Sequence, residues 1–342
     1  MPPRTKLATV TSLDDVLELL RTRRQIIVIT GAGISVSCGI PDFRSKDGLY
    51  NTLDCSSFGI PSAELLFDLE FFEIDPQPFY RFASSLLPND TQPSLAHHFL
   101  GTLSGQKKLL RNYTQNVDGL ERKVPGLNHN KQLIECHGSM AKFKCTKCRF
   151  KTDLNEELAS EVRKGNVVYC SSKSCTEVLK PNITFFGEPL PSSLGKSIEK
   201  DLPICDLVLV IGTSLKVGGS VVEIIKRIDP SVPQILINKE CVKLPAFSEG
   251  FDVSILGQCD EVVQYLCQRL GWTCGARTGA VTGAAGAGAN EAEPGLKRKR
   301  DTDDLALQPA AATSSSANPT AAALTCVEES SRVFRVSSSQ SV

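Results

Sequence analysis

Gln25-Ile26-Ile27-Val28-Ile29-Thr30-Gly31-Ala32-Gly33-Ile34-Ser35 is the stretch on which the fold turns. Its four branched aliphatic residues suit a short parallel strand buried on both faces. Glycine follows at once. Gly31 and Gly33 permit a tight turn and close backbone approach, so a pyrophosphate could rest against amides that open a following helix. The usual dinucleotide fingerprint asks for a third glycine three positions after the second, and here Val36 stands there. The chain continues through Gly39-Ile40-Pro41-Asp42-Phe43-Arg44, where Pro41 disfavours helical geometry at Ile40. A loop therefore leaves the pocket early.

Further strand candidates lie at 109–114, 132–136, 207–211, 234–237 and 253–256, with helical patterns at 221–228 and 261–270. An amphipathic helix carrying Leu13, Val16, Leu17 and Leu20 precedes the first strand. Strands alternating with helices predict the α/β class: a doubly wound, Rossmann-like parallel sheet built from about 7–50, 105–140 and 183–274. Two stretches break the alternation and read as insertions forming a smaller domain, a helical module at 51–104 and a cysteine-bearing module at 141–182. From Gly275 onward Ala, Gly, Ser and Thr dominate. Such a segment buries too little apolar surface to offset its ordering entropy, so 275–342 is predicted to be a disordered tail.

The tail's basic cluster, Lys297-Arg298-Lys299-Arg300, reads either as a nuclear-import signal or as a solvated charge run. A nuclear location is expected, with the cytoplasm as the alternative. Lys and Arg together number 38, as do Asp and Glu, so no whole-chain field favours nucleic acid and no direct nucleic-acid binding is expected. No apolar run is long enough to cross a membrane, and the amino-terminal residues lack the apolar core of a secretory signal. Thirteen cysteines in such a chain point to thiols and metal ligands.

Cys145-x2-Cys148 and Cys170-x4-Cys175 supply four thiolates in two close pairs, the donor set of tetrahedral zinc. Four sulfurs fill that shell and leave no position to activate water. The metal is therefore read as structural, holding together a segment whose Lys142, Lys144, Lys147, Arg149 and Lys151 could not bury a core. Those cations leave a second reading open, a non-catalytic zinc-containing module that binds chromatin or an acidic partner.

Gln115-Asn116-Val117-Asp118 follows one predicted strand and His137-Gly138 the next. Both lie at carboxyl ends of parallel strands, the edge where ligands bind in this architecture. Alternation puts Asn116 and Asp118 on one side. A glycine after His137 at a strand end allows close ligand approach.

In order along the chain, Gly31-Ala-Gly-Ile-Ser35, Gly39-Ile-Pro-Asp-Phe-Arg44, Tyr113-Thr-Gln-Asn-Val-Asp118, His137-Gly138, the paired cysteines, Phe185-Phe-Gly-Glu188, Gly212-Thr-Ser214 and Asn238-Lys-Glu240 resemble the sirtuin family over roughly 7–274. The resemblance implies an NAD-dependent protein lysine deacylase that consumes NAD as co-substrate. It is most similar to the class that deacetylates histones and other nuclear proteins within chromatin-associated complexes. It further implies that Gly31, Ala32, Gly33, Ser35, Pro41 and Asp42 line the phosphate and ribose region. Arg44 would lie near the phosphates, and Phe43 over the reacting ribose carbon.

By the same resemblance Gln115, Asn116 and Asp118 orient nicotinamide and ribose, and Asn116 and Asp118 join His137 as catalytic residues. Gly212, Thr213 and Ser214 hold phosphate or ribose. Asn238, Lys239 and Glu240 take the adenosine ribose, and Cys259 adds to the NAD contacts. The acetyl-lysine oxygen attacks the ribose carbon as nicotinamide leaves, and His137 acts as general base toward a ribose hydroxyl. The products are deacetylated lysine, nicotinamide and O-acetyl-ADP-ribose. Thr184, Phe185, Phe186 and Gly187 pair with the substrate backbone as an added strand, flanked by Gly218. A mono-ADP-ribosyltransferase is the enzymatic alternative.

Overall fold

Ile26–Thr30 forms strand β1, and all five of its residues are buried. In the computed structural model, residues 4–42, 48–87, 91–172, 174–216, 220–244, 249–275 and 324–338 are described. The remaining strands are β2 (Leu109–Thr114), β3 (Leu133–Glu135), β4 (Gly138–Cys145), β5 (Lys151–Asp153), β6 (Leu179–Ile183), β7 (Leu207–Ile211), β8 (Gln234–Asn238), β9 (Val253–Leu256), β10 (Leu324–Ser330) and β11 (Val333–Ser338). They make an eight-stranded sheet in the order β10-β11-β9-β8-β7-β1-β2-β3 and a three-stranded sheet in the order β5-β4-β6. In the large sheet only the β10–β11 pair is antiparallel. The architecture is α/β.

Alternation along β1 explains why the strand reads as continuously apolar. Ile26 and Val28 enter one cluster with Val16 and Leu20 of the helix Leu13–Thr22, and with Val263 and Leu266 of the helix Cys259–Leu270. Ile27 and Ile29 enter the other with Ile198, Ile224 and Ile225. The first helix begins at a capping box, Ser12 accepting from Asp15 N–H while the Asp15 side chain accepts from Ser12 N–H. From β1 the chain steps to β2 and β3 on one side, and later to β7, β8 and β9 on the other. The reversal falls between β1 and β7, a switch point that opens a crevice at the carboxyl ends of the strands.

Both insertions meet in one apolar cluster. Phe67, Phe72, Phe79 and Phe82 pack with Phe143, Leu179 and Phe185, several of them edge to face. The predicted boundary at 104 needs correction, because the helix Leu95–Gly105 belongs to the large sheet. Its Ala96, Phe99, Leu100 and Leu103 recur at helical spacing and pack beside Val16 and Ile26.

The expected structureless tail also fails over 324–338, which form a hairpin whose β11 lies parallel to β9 and buries Phe334 and Val336. Two buried apolar side chains, with Leu324 and Cys326 packed partly against the same cluster, hold a short segment where a sheet edge awaits it. The basic cluster at 297–300 lies outside the described residues. Among the described residues no helix is long and apolar enough to cross a membrane.

Candidate active site

After β1 the backbone folds into short 3-10 turns at Ala32–Ile34 and Val36–Cys38, not into a long helix. Gly31 N–H donates to Ile211 O and Gly33 N–H to Gly212 O, at 3.2 and 2.8 Å. Ile34 and Ser35 N–H bond back to Gly31 and Ala32 O. The amides of Gly31, Gly33, Ile34 and Ser35 are thus already paired within the protein. The glycines serve packing: a methyl group at Gly31 would lie 2.6 Å from Thr213 Cβ, and one at Gly33 2.7 Å from Gly212 Cα. Gly212 itself has φ +64°, a conformation that favours glycine.

Ser35 Oγ, fully buried, donates to Asp118 Oδ2 at 2.8 Å, and Leu120 N–H donates to Asp118 Oδ1 at 2.9 Å. Asn116 is buried and donates from Nδ2 to Gly31 O at 3.2 Å and toward Ser35 Oγ at 3.3 Å. Gln115 N–H donates to Thr30 O, and its Oε1 accepts from Thr213 Oγ1 at 2.6 Å. Gln115 Nε2 is buried with no hydrogen-bond partner among the described residues. Loops after β1, β2 and β7 are therefore locked to one another through the side chains singled out in the sequence.

His137 is half-buried at the end of β3, where Cys136 N–H bonds Thr114 O and carries the β2–β3 pairing to the site's edge. Its Nδ1 lies 3.1 Å from Gln115 O. A carbonyl only accepts, so Nδ1 carries the proton and Nε2 is left as the acceptor. Burial lowers the His137 pKa, opposed by that carbonyl contact. Gly138 has φ +78°, and a Cβ there would meet Asn182 O at 1.9 Å. Close approach by β6, rather than by a ligand, fixes this glycine.

Two participants carry no sequence signal. Glu121, in the Leu120–Lys123 turn, is 1 % exposed and accepts from Thr114 Oγ1 at 2.5 Å. Burial, then the nearby Asp118 charge, raises its pKa to about 8, which favours its protonated form. Burial also raises Asp118, opposed by the Leu120 and Ser35 hydrogen bonds. His97 is fully buried, and a ligating atom of each of His97, Asp118 and Glu121 lies within 4.8 Å of the others. Its Nδ1 accepts from Ser94 N–H, which leaves the proton on Nε2. In the sequence these residues look like ordinary helix polar groups.

A cavity of about 330 Å³ opens beside Asp118, lined among others by Ile40, Leu120, Met140, Leu154 and Ala159. Pro41 and Asp42 border it in the chain, while Phe43, Arg44 and Gly218 lie outside the described residues. Ser214 is exposed, and the next residue, Leu215, is buried with φ +53°. A branched side chain in that conformation is strained and must be held by its surroundings.

At the far end Asn238 Nδ2 donates to Glu240 O at 2.8 Å, and Lys239 and Glu240 are exposed. Cys259 is buried in the apolar cluster against β1, and burial raises its thiol pKa to about 12. Thr184 N–H bonds His137 O, while Phe185 lies in the core. Phe186 N–H and C=O already pair with Phe67 O and Leu69 N–H. An incoming strand could therefore meet this segment only from Gly187 onward.

The cysteines Cys145, Cys148, Cys170 and Cys175 place all four sulfurs within 4.8 Å of one another. Cys145 and Cys175 are 3.5 Å apart, Cys148 and Cys170 3.6 Å. A tetrahedron with Zn–S bonds of about 2.3 Å has edges of about 3.8 Å, so the set is suited to structural zinc.

A glycine turn at the switch point of a parallel sheet, tied through Ser35 to the half-buried Asp118, with His137 at the same edge and a four-cysteine cluster in the smaller sheet's module, defines a doubly wound α/β protein with its candidate site at the carboxyl ends of the strands. The Sir2 family model matches residues 31–219. The chain is 45% identical over 270 residues to the NAD-dependent protein deacetylase sir-2.1 of Caenorhabditis briggsae, covering 79% of this chain and 43% of that protein. It is 43% identical over 273 residues to the NAD-dependent protein deacetylase sirtuin-1 of Homo sapiens, covering 79% and 35%. With the NAD-dependent histone deacetylase SIR2 of Candida albicans it shares 45% over 268 residues, covering 76% and 50%. The chain belongs to the Sir2 family. It spans half or less of the length of these relatives.

Proposed function

We propose that the protein is an NAD-dependent protein lysine deacetylase acting on histones and other nuclear proteins. The observation that carries this reading is the Ser35–Asp118–Asn116 network set at the same sheet edge as His137. Bound NAD would supply an activated ribose carbon and nicotinamide as leaving group. Asp118, anchored by Ser35 and Leu120, and Asn116, anchored on Gly31 O, orient that end of the nucleotide with Gln115. Ala32, Ser35, Thr213 and Ser214 line the ribose and phosphates, and Asn238, Lys239 and Glu240 the adenosine end. His137 takes up a proton at Nε2 while Gln115 O holds Nδ1–H in place. Gly187 and the residues after it pair with the substrate strand.

Incubation with NAD and an acetylated histone peptide tests this. Nicotinamide released together with deacetylated peptide supports the reading. Reduced NAD, or ADP-ribose label left on the protein substrate, overturns it.

A further inference from the structure

The three-stranded sheet has one face in the core and one face of lysines. Register pairs Phe143 with Thr152 and Pro181, and Cys145 with Leu179; Phe143, Cys145, Pro181 and Leu179 are buried. The alternate positions form a single cross-strand row, Lys151 on β5 opposite Lys144 on β4, and Lys144 opposite Lys180 on β6. Residues directly opposite in such a ladder stand about 5 Å apart, and like charges placed there repel. The carboxylates near the row each face a lysine, one of them within the row itself. Glu188 pairs with Lys180 at 2.7 Å and Asp153 with Lys142 at 4.0 Å, while Glu177 pairs with Lys147 at 2.9 Å. The side chains of Lys144 and Lys151 have no hydrogen-bond or ion-pair partner among the described residues.

The position of the row matters as much as its charge. Lys180 is buried, donates to Ile183 O at 2.6 Å, and lies 3.9 Å over the Phe185 ring. The row therefore emerges from beneath the segment that leads into Gly187, where the substrate strand is placed under the deacetylase reading. We infer that Lys144 and Lys151 form a subsite for acidic side chains flanking the target lysine of a protein substrate. This inference rests on the deacetylase reading for the location of the substrate strand. A short run of carboxylates fits a row two strands wide. A nucleic-acid backbone needs a longer track of cations, and this chain has no net charge to extend one.

The test uses the full chain and acetyl-lysine peptides flanked by Asp and Glu, against peptides with Asn and Gln at the same positions. Binding is followed by fluorescence anisotropy, and turnover with NAD is measured separately. The acidic peptides are expected to bind about three- to tenfold more tightly at low salt, an effect carried by KM and erased at high salt. Lys144→Gln with Lys151→Gln removes the difference while leaving kcat and KM for the neutral peptide unchanged, and Lys144→Glu with Lys151→Glu reverses it.

A preference that survives in the double Gln variant overturns the inference. So does loss of duplex DNA binding in that variant with peptide preference intact. Preferential binding of acidic peptides with no turnover of any peptide overturns the deacetylase reading and leaves the acidic-segment site standing.

Discussion

Gly33 lies against Gly212 so closely that a methyl group at Gly33 would stand 2.7 Å from Gly212 Cα and 2.8 Å from Gly212 O. Both neighbours are backbone and cannot rotate away. Gly33→Ala therefore parts β1 from β7 at the loops that carry Ser35 and Thr213. The expected cost is about 1–3 kcal/mol, seen as a lower melting temperature with no nucleotide present. A variant that melts like the parent and loses only NAD affinity would return this glycine to the role of a phosphate contact.

The carbonyl of Gln115 fixes the His137 tautomer, and burial keeps the ring neutral to a lower pH than in solution. His137→Ala should reduce kcat/KM about 10²- to 10⁴-fold with the melting temperature retained. Because the folded pKa lies below 6.5, the acid limb of the parent's kcat/KM profile should fall below that pH. An acid limb centred above 6.5 would contradict the lowered pKa.

The strands were legible because a parallel strand covered on both faces is apolar almost throughout, as residues 26–29 and Leu207–Ile211 are. The site glycines were legible in position but not in cause. Gly31, Gly33 and Gly138 read as room for a ligand, and each also makes room for a neighbouring segment, the loop after β7 for the first two and β6 for Gly138. Glu121, His97 and the Leu95–Gly105 helix were misread or missed because periodicity reports only that a face is buried. Which sheet it meets, and which polar groups go in with it, depend on partners far away in the chain. The hairpin escaped notice for the same reason, since an edge strand draws its stability from the edge it joins.

Glu121 gives a signed pH dependence. Folding raises its pKa from 4.5 to about 8 through burial, reinforced by Asp118. Between those values the folded protein holds a proton that the unfolded chain has released. This group's contribution is thus full below pH 4.5 and is lost as pH rises through 8, at up to about 1.4 kcal/mol per pH unit. Glu121→Gln keeps a partner for the Thr114 hydroxyl and removes that slope. Urea unfolding at pH 5, 6.5 and 8 should show the variant gaining on the parent as pH rises; parallel curves would mean Glu121 is ionised in the fold.

Three of the four clustered cysteines, Cys145, Cys170 and Cys175, also belong to the apolar cluster of the small module. Zinc removal should therefore loosen that module from within. Cys145→Ala, or a strong chelator applied to the parent, is expected to abolish zinc retention and lower the melting temperature by several degrees, consistent with metal binding that is coupled to folding. Full stability at zero zinc content would assign these thiols a different role.

β11 occupies the edge beside β9, pairing Val333 with Ser254 and Phe334 with Ile255, while Ser254 N–H bonds Arg332 O. Phe334 and Val336 are buried against the same cluster as Val263 and Leu266, and Gly257 passes so close that a Cβ there would meet Val336 O at 2.5 Å. Burying those two side chains is worth about 3–6 kcal/mol, and closing the long connection from Gly275 costs on the order of 3 kcal/mol. Truncation after Gly275 should then destabilise the sheet by up to about 3 kcal/mol and speed hydrogen exchange at β9. A synthetic 324–338 peptide added in trans should restore protection, whereas Phe334→Asp in that peptide should not. Unchanged exchange at β9 after truncation would show that the hairpin adds nothing to the edge it covers.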